Sequence, residues 1–174
     1  MLHKNDFQFG EKLLAKIVNK TDNMLYLKDK YYTLILDLAI VYYIPVGDTY
    51  EYFATYHNEN LFKQMLKKIR KESRFCLTKK CDSELYLVDE NRKNISIVAI
   101  FDTQLLDSIQ KELMTPFYII PYSIYEVEII PANRRIRELK KLQKELIASN
   151  DDLPADYIVS NHIYYYDSGL SIAV

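Results

Sequence analysis

Apolar positions in the first third of the chain fall into short runs, and long helical stripes appear only later. Residues 13–19 (LLAKIVN) alternate weakly and predict a strand, with a helix from Glu11 nearly as good by spacing, and residues 22–29 read as a short helix. Residues 34–45 (LILDLAIVYYIP) form a nearly continuous β-branched and aromatic run, which predicts one central strand ended by Pro45 and Gly47. Residues 50–56 alternate large and small side chains after Gly47-Asp48 and predict an antiparallel return strand. Asn58 then offers a side-chain oxygen to cap a helix. From residue 59 to 73, Phe62, Leu66 and Ile69, with Leu61 and Met65 beside them, recur at helical spacing opposite Lys63, Lys67, Arg70 and Lys71.

The second half continues in the same style. Residues 84–89 (ELYLVD) and 95–101 (ISIVAIF) flank a polar turn at 91–94 and predict a hairpin. Asp102 or Thr103 caps a helix with an apolar stripe of Leu105, Ile109 and Leu113, closed by Pro116. Residues 117–120 and 125–130 are two further strands, each followed by proline. Asn133 caps a helix carrying Ile136, Leu139, Leu142, Leu146 and Ile147. Residues 162–166 and 170–174 predict a last hairpin around Asp167-Ser168-Gly169, with the glycine taking a positive φ. The expectation is a single α+β domain over residues 1–174: a largely antiparallel curved sheet carrying three to four amphipathic helices.

Composition narrows the function. At 174 residues and 49% hydrophobic the chain can fill one core. Its three glycines, Gly10, Gly47 and Gly169, lie too far apart to share a phosphate-cradling loop, which excludes nucleotide binding by that device. No apolar run approaches the roughly 18 residues that span a bilayer, and no leader is legible. The protein is therefore expected to be soluble and cytoplasmic, without membrane contact. Cys76 and Cys81 are read as free thiols, because an unexported chain keeps them reduced.

Three blocks in this order, LLAKIVNKTDNMLYLKDKYYTLILDLAIVYYIPV, ELYLVDENRKNISIVAIFDTQLLDSIQKELMTPFYIIPYSIYEVEIIP and SNHIYYYDSG, resemble an uncharacterised family common in gut clostridial genomes and their mobile elements. That family is described only as a domain of unknown function. A more distant likeness joins a second uncharacterised bacterial family with a similar strand-helix-strand layout and tyrosine-rich ending. Members of the first usually carry an additional N-terminal region, so the resemblance implies a free-standing version of its C-terminal domain. They usually have histidine where Tyr125 stands here, and no catalytic residue is carried over.

The sharpest feature is charge segregation. Between Lys63 and Lys80 eight basic residues (Lys63, Lys67, Lys68, Arg70, Lys71, Arg74, Lys79, Lys80) face Glu72 alone, within a chain of net charge −1. A second cluster (Arg134, Arg135, Arg137, Lys140, Lys141, Lys144) faces Glu138. Presented on one side, the two helices would attract phosphates or an acidic protein surface; solvated helix faces are the plainer reading. Sixteen tyrosines include the adjacent sets Tyr31-Tyr32, Tyr42-Tyr43 and Tyr164-Tyr165-Tyr166, in which neighbours on a strand point to opposite faces, one packed and one reaching the surface.

Enzyme readings are thinner. Cys76 and Cys81 have zinc-compatible spacing but need distant partners. Ser160, His162 and Asp167 fall together without a nucleophile elbow or oxyanion glycine. Carboxylates at predicted strand ends (Asp37, Asp89, Asp102, Glu126, Glu128) could converge on a metal for hydrolysis or nuclease chemistry. The preferred expectation is a non-enzymatic interaction protein with no cofactor. Its expected partner is a host or defence-system protein, with a ribonucleoprotein as one form of that partner and nucleic acid on the basic helices as a further option. In its most specific form, motivated by the resemblance, it is a mobile-element inhibitor of a host defence nuclease, of anti-CRISPR type.

Overall fold

The computed structural model describes residues 6–8, 13–53, 59–81, 84–90, 96–133, 136–151 and 158–174, with backbone alone at 6–8, 59, 80, 81, 84, 136 and 137. Hydrophobic alternation and turn residues build two antiparallel sheets here, where a single curved sheet was expected. The first contains β1 (Asp6–Gln8), β2 (Leu14–Asn19), β3 (Tyr32–Ile35), β4 (Leu38–Val46) and β5 (Thr49–Tyr52) in the order β1-β2-β4-β3, with β5 also paired to β4. A one-turn helix, α1 (Met24–Leu27), joins β2 to β3. The second sheet runs β11-β10-β8-β9-β7-β6, from β6 (Phe75–Cys81), β7 (Glu84–Asp89), β8 (Phe117–Pro121), β9 (Val127–Pro131), β10 (Tyr164–Tyr166) and β11 (Leu170–Ile172). Helices α2 (Glu59–Glu72), α3 (Thr103–Leu113) and α4 (Ile136–Asn150) complete the α+β fold. Among the described residues no helix is long and apolar enough to cross a membrane.

Several expectations change. The run 34–45 is two strands, because Leu36 takes a left-handed conformation (φ 55°) and Asp37 follows it in a tight turn, so β3 folds back on β4 with Ile35 opposite Leu38. Such a backbone costs a leucine about 1–2 kcal/mol, which the side-chain hydrogen bonds gathered by Asp37 offset. Of the strand expected over residues 95–101, the described part does not pair with β7: Ser96–Phe101 is a 3-10 helix with all six residues buried, and β7 pairs with β6 and β9. Complete burial removes the polar alternation that would separate a strand from a helix. In the last hairpin the positive φ falls on Ser168 (54°) and not on Gly169, whereas Gly47 (60°) does supply the turn between β4 and β5. The caps expected from Asn58 and Asn133 concern helix starts whose preceding residues lie outside the described ones. Asp102 caps α3 as expected, accepting from the Gln104 amide at 3.1 Å.

Strand faces sort the core into three apolar layers. The main cluster joins one face of the first sheet (Ala15, Ile17, Leu38, Ile40, Tyr42) to one face of the second (Leu87, Phe117, Ile119, Val127, Ile129, Tyr164, Tyr166). The buried stripe of α2 (Leu61, Met65, Ile69), the 3-10 helix, and Leu106 and Ile109 of α3 belong to the same cluster. On the other face of the second sheet, Ile120, Ile130 and Ile163 pack with Leu139 and Leu146 of α4. On the outer face of the first, Val18, Ala39 and Val41 pack with Leu27 of α1 and with Tyr26, Tyr32 and Tyr52. Burial of β4 from both sides explains its unbroken apolar run.

Candidate functional site

The two basic helices do not share a face. Because successive residues of β8 and β9 point to opposite sides, Ile119 and Ile129 meet the cluster holding α2, while Ile120 and Ile130 meet α4. The second sheet therefore stands between the helices, and the described basic residues of α2 and α4 form no joint patch. On α2, Lys63, Lys67 and Lys71 are exposed at i, i+4 and i+8, one stripe along the helix, with no acidic partner among the described residues. Arg70 is spent differently: its guanidinium makes a two-pronged contact to the buried Asp102 (Nε to Oδ2 3.0 Å, a terminal nitrogen to Oδ1 2.9 Å), tying α2 to the start of α3. Arg74 is exposed and pairs with Glu90 at 3.0 Å, and Lys68 pairs with Glu72 at 3.1 Å. Lys79 is exposed on β6, where Lys80 follows in the strand. Arg134 and Arg135 lie outside the described residues, as does the side chain of Arg137 in α4. Farther along that helix Lys140, Lys141 and Lys144 are exposed, Lys141 facing Glu145 at 3.6 Å.

The tyrosines are mainly packing elements. Tyr31 stacks on Tyr42 at 5.8 Å, Phe117 on Tyr166 at 5.5 Å, and Tyr118 meets Tyr165 at 5.2 Å on the opposite face. The expected split between an inward and a surface tyrosine fails at Tyr42-Tyr43: Tyr43 is also buried, covered by Tyr50 and Tyr52. Tyr26 and Tyr52 meet edge to face, with the Lys30 ammonium 4.4 and 4.8 Å from their ring centres. Tyr125, at 60% exposure, stands out of the surface.

The densest polar constellation was only half visible in the sequence. Asp37, in the β3–β4 turn and 9% exposed, collects four side-chain donors. Oδ2 accepts from Asn19 Nδ2 (2.9 Å) and Ser160 Oγ (2.7 Å) and lies 3.0 Å from His162 Nδ1, while Oδ1 accepts from Tyr164 OH at 2.7 Å. The block DLAIVYY and the block SNHIYYYDSG thus meet at this carboxylate. Asn150, at the end of α4, holds the approach to β10 by donating to the Ser160 carbonyl (3.2 Å) and to Asn161 Oδ1 (2.8 Å). The residue grouped with Ser160 and His162 in sequence, Asp167, instead accepts from Gln110 at 3.0 Å. Ser160 is fully buried and gives its proton to Asp37, not to the imidazole, so it lacks the activated hydroxyl of a serine hydrolase. The available signal was Asp37 itself: a carboxylate inside a β-branched run must find partners when buried.

The remaining strand-end carboxylates go separate ways. Asp89 accepts from the Arg74 amide at 2.9 Å, Asp102 is the cap described above, and Glu126 closes a turn through its backbone amide, which donates to Ser123 Oγ at 3.0 Å. Glu128 is buried on β9 opposite Tyr86 and hydrogen-bonded by Tyr122. Among the described residues no three His, Cys, Asp or Glu side chains come together to hold a metal ion. Cys76 is a half-buried free thiol 3.7 Å from Thr78 Oγ1, and the Cys81 side chain is not among those described.

Burial sets the behaviour of the tyrosine hydroxyls. Desolvation first, and then the hydrogen bond to Asp107, pushes Tyr166 up to about 12; burial followed by the Asp37 charge raises Tyr164 well above its ordinary value. Both folded values exceed the unfolded one of roughly 10, so these phenols contribute stability that is complete below about pH 10 and falls as pH rises above it, in the case of Tyr166 through about 12. Chemical denaturation followed across that window is expected to show a steep alkaline loss of stability coincident with tyrosinate absorbance.

These arrangements define the protein as an α+β fold of two antiparallel sheets around a shared core, with a carboxylate-centred clamp between them and a lysine-striped helix outside. No protein family, curated protein or solved structure matches the chain.

Proposed function

We propose that this chain is a non-enzymatic interaction protein whose macromolecular partner docks on the lysine face of α2. The supporting observation is the division of labour along that helix: Arg70 anchors it through Asp102, while Lys63, Lys67 and Lys71 stay exposed in one line. Three aligned positive charges in a chain of net charge −1 give a local field suited to steering an acidic partner surface. The sequence resemblance to mobile-element proteins extends this reading to an inhibitor of a host defence nuclease, acting by binding protein.

The test is capture of partners from host lysate, with and without nuclease, by the wild-type chain and by a triple variant carrying Lys63→Glu, Lys67→Glu and Lys71→Glu. The expected result is a stoichiometric protein that survives nuclease and is lost at least about tenfold with the triple variant. The triple variant keeps its thermal midpoint within a few degrees, since exposed charges contribute little to stability. Arg70→Ala, in contrast, lowers stability by about 1–2 kcal/mol, because it strips the buried Asp102 of its charged donor. Equal capture by wild type and triple variant, or capture of nucleic acid alone, would overturn the proposal.

A further inference from the structure

The second sheet ends at β6, and among the described residues no strand pairs with its outer edge. At seven residues β6 is much longer than β11, the three-residue strand at the opposite edge. An edge of this length presents a row of backbone donors and acceptors open to another extended chain. Its pairing with β7 is regular from Phe75 to Lys79 and shifts between Lys79 and Cys81, so the uniform stretch is residues 75–79.

Charge selects the occupant. Lys79 and Lys80 lie in the strand, Arg74, paired with Glu90, stands immediately before it, and Lys71 lies in the last turn of the α2 helix that leads into it. Two copies of β6 laid edge to edge in parallel register would bring these lysines against each other, which is unfavourable, and an antiparallel pair centred on the uniform stretch would set Lys79 opposite Phe75 and leave its charge unanswered. An acidic strand meets complementary charge in the same place. Beside the edge, on the face of the sheet turned away from the main core, a cavity of about 390 Å³ is lined by Thr78 of β6, Tyr86 and Val88 of β7, and the exposed Tyr125. Glu126, which also lines it, favours an apolar or aromatic side chain there over an acidic one.

We propose that β6 receives an extended acidic segment of a partner protein as an added strand, with one apolar residue of that segment seated in the Tyr86–Tyr125 cavity. Main-chain hydrogen bonds hold the segment, and alternate side chains read the lysines and the cavity. This rests on the reading of the chain as an interaction protein and names the form its partner takes.

The test uses the full chain and two synthetic decapeptides, one alternating valine with glutamate and one alternating valine with lysine, followed by backbone amide shifts and amide exchange. The valine–glutamate peptide is expected to shift the amides of residues 75–79 and slow exchange of alternate ones about tenfold or more. The lysine peptide leaves them unchanged, and Lys79→Glu weakens the first peptide several-fold. Unperturbed β6 amides, equal effects of both peptides, or protection that rises with protein concentration alone, which marks a second copy as the occupant, would each overturn the edge proposal. The two readings fail separately. Loss of lysate capture on α2 charge reversal with β6 amides silent to the peptide removes the edge site and keeps the interaction protein. A β6 response to the peptide without any captured partner supports the edge site and removes the broader reading.

Discussion

Asp37→Ala is expected to lower the free energy of unfolding by about 3–5 kcal/mol, a drop of about 10 °C in Tm for a chain of this size. The carboxylate sits in the turn between β3 and β4, and three of its four side-chain partners come from the segment entering β10, more than 120 positions away. Removing it leaves the buried hydroxyls of Ser160 and Tyr164 and the amide of Asn19 facing a void where their acceptor stood. Each loses a charge-assisted bond worth about 1.5–3 kcal/mol, and the sum is not additive because the survivors rearrange. Tyr164→Phe deletes one donor and keeps the ring in the main core, so about 1–2 kcal/mol is expected. In the double variant the Tyr164 change should cost much less than it does alone, which urea denaturation of all four proteins in the cycle measures directly. A loss below about 1 kcal/mol for Asp37→Ala would show that the clamp is incidental to the joining of the two sheets.

Truncation within the 3-10 helix is expected to be almost as damaging. Ser96–Phe101 is buried along its whole length, and its side chains join those of α2, α3 and both sheets in one cluster. Ile97→Ala should cost about 2–5 kcal/mol, the range for a large core side chain whose surroundings cannot collapse into the gap. The Ile97 amide is bonded to the Ile124 carbonyl at 3.1 Å and Asp102 N to the Ala99 carbonyl at 3.1 Å, so the segment is held at both ends and relaxes little. Val98→Asp would bury an unpaired carboxylate at the same depth and is expected to prevent folding at ordinary temperature. Thermal and urea denaturation of Ile97→Ala checks the first, and yield of soluble protein the second. A cost for Ile97→Ala close to that of an exposed substitution would mean that the segment is not part of the cooperative core.

Local pattern carried β2, α2, α3, α4, β8, β9 and the β10–β11 hairpin into view, because in each the apolar period or a turn residue is written in neighbouring positions. The cap at Asp102 was legible for the same reason, a short polar side chain just before an apolar stripe. The break at Leu36-Asp37 was not, since no glycine or asparagine marks it and the turn is held by donors from the far end of the chain. β6 was hidden by its lysines, which read as a continuation of the basic helix before it, although Phe75 and Leu77 pack against the main core.

The candidate site divides in the same way. The exposed stripe Lys63, Lys67, Lys71 follows from helical spacing alone, and the sequence also marked Asp37, Ser160 and His162 as polar residues in unusual company. Only the tertiary structure decided that Asp37 and not Asp167 joins Ser160 and His162, that Arg70 belongs to Asp102, and that the two basic helices lie on opposite faces of one sheet. What the sequence by itself determined is what depends on neighbours a few positions apart: element type, helix faces and charge runs. Pairing between distant residues depends on which strands lie side by side and which faces they turn inward, and that order is settled by the burial of all the apolar surfaces together.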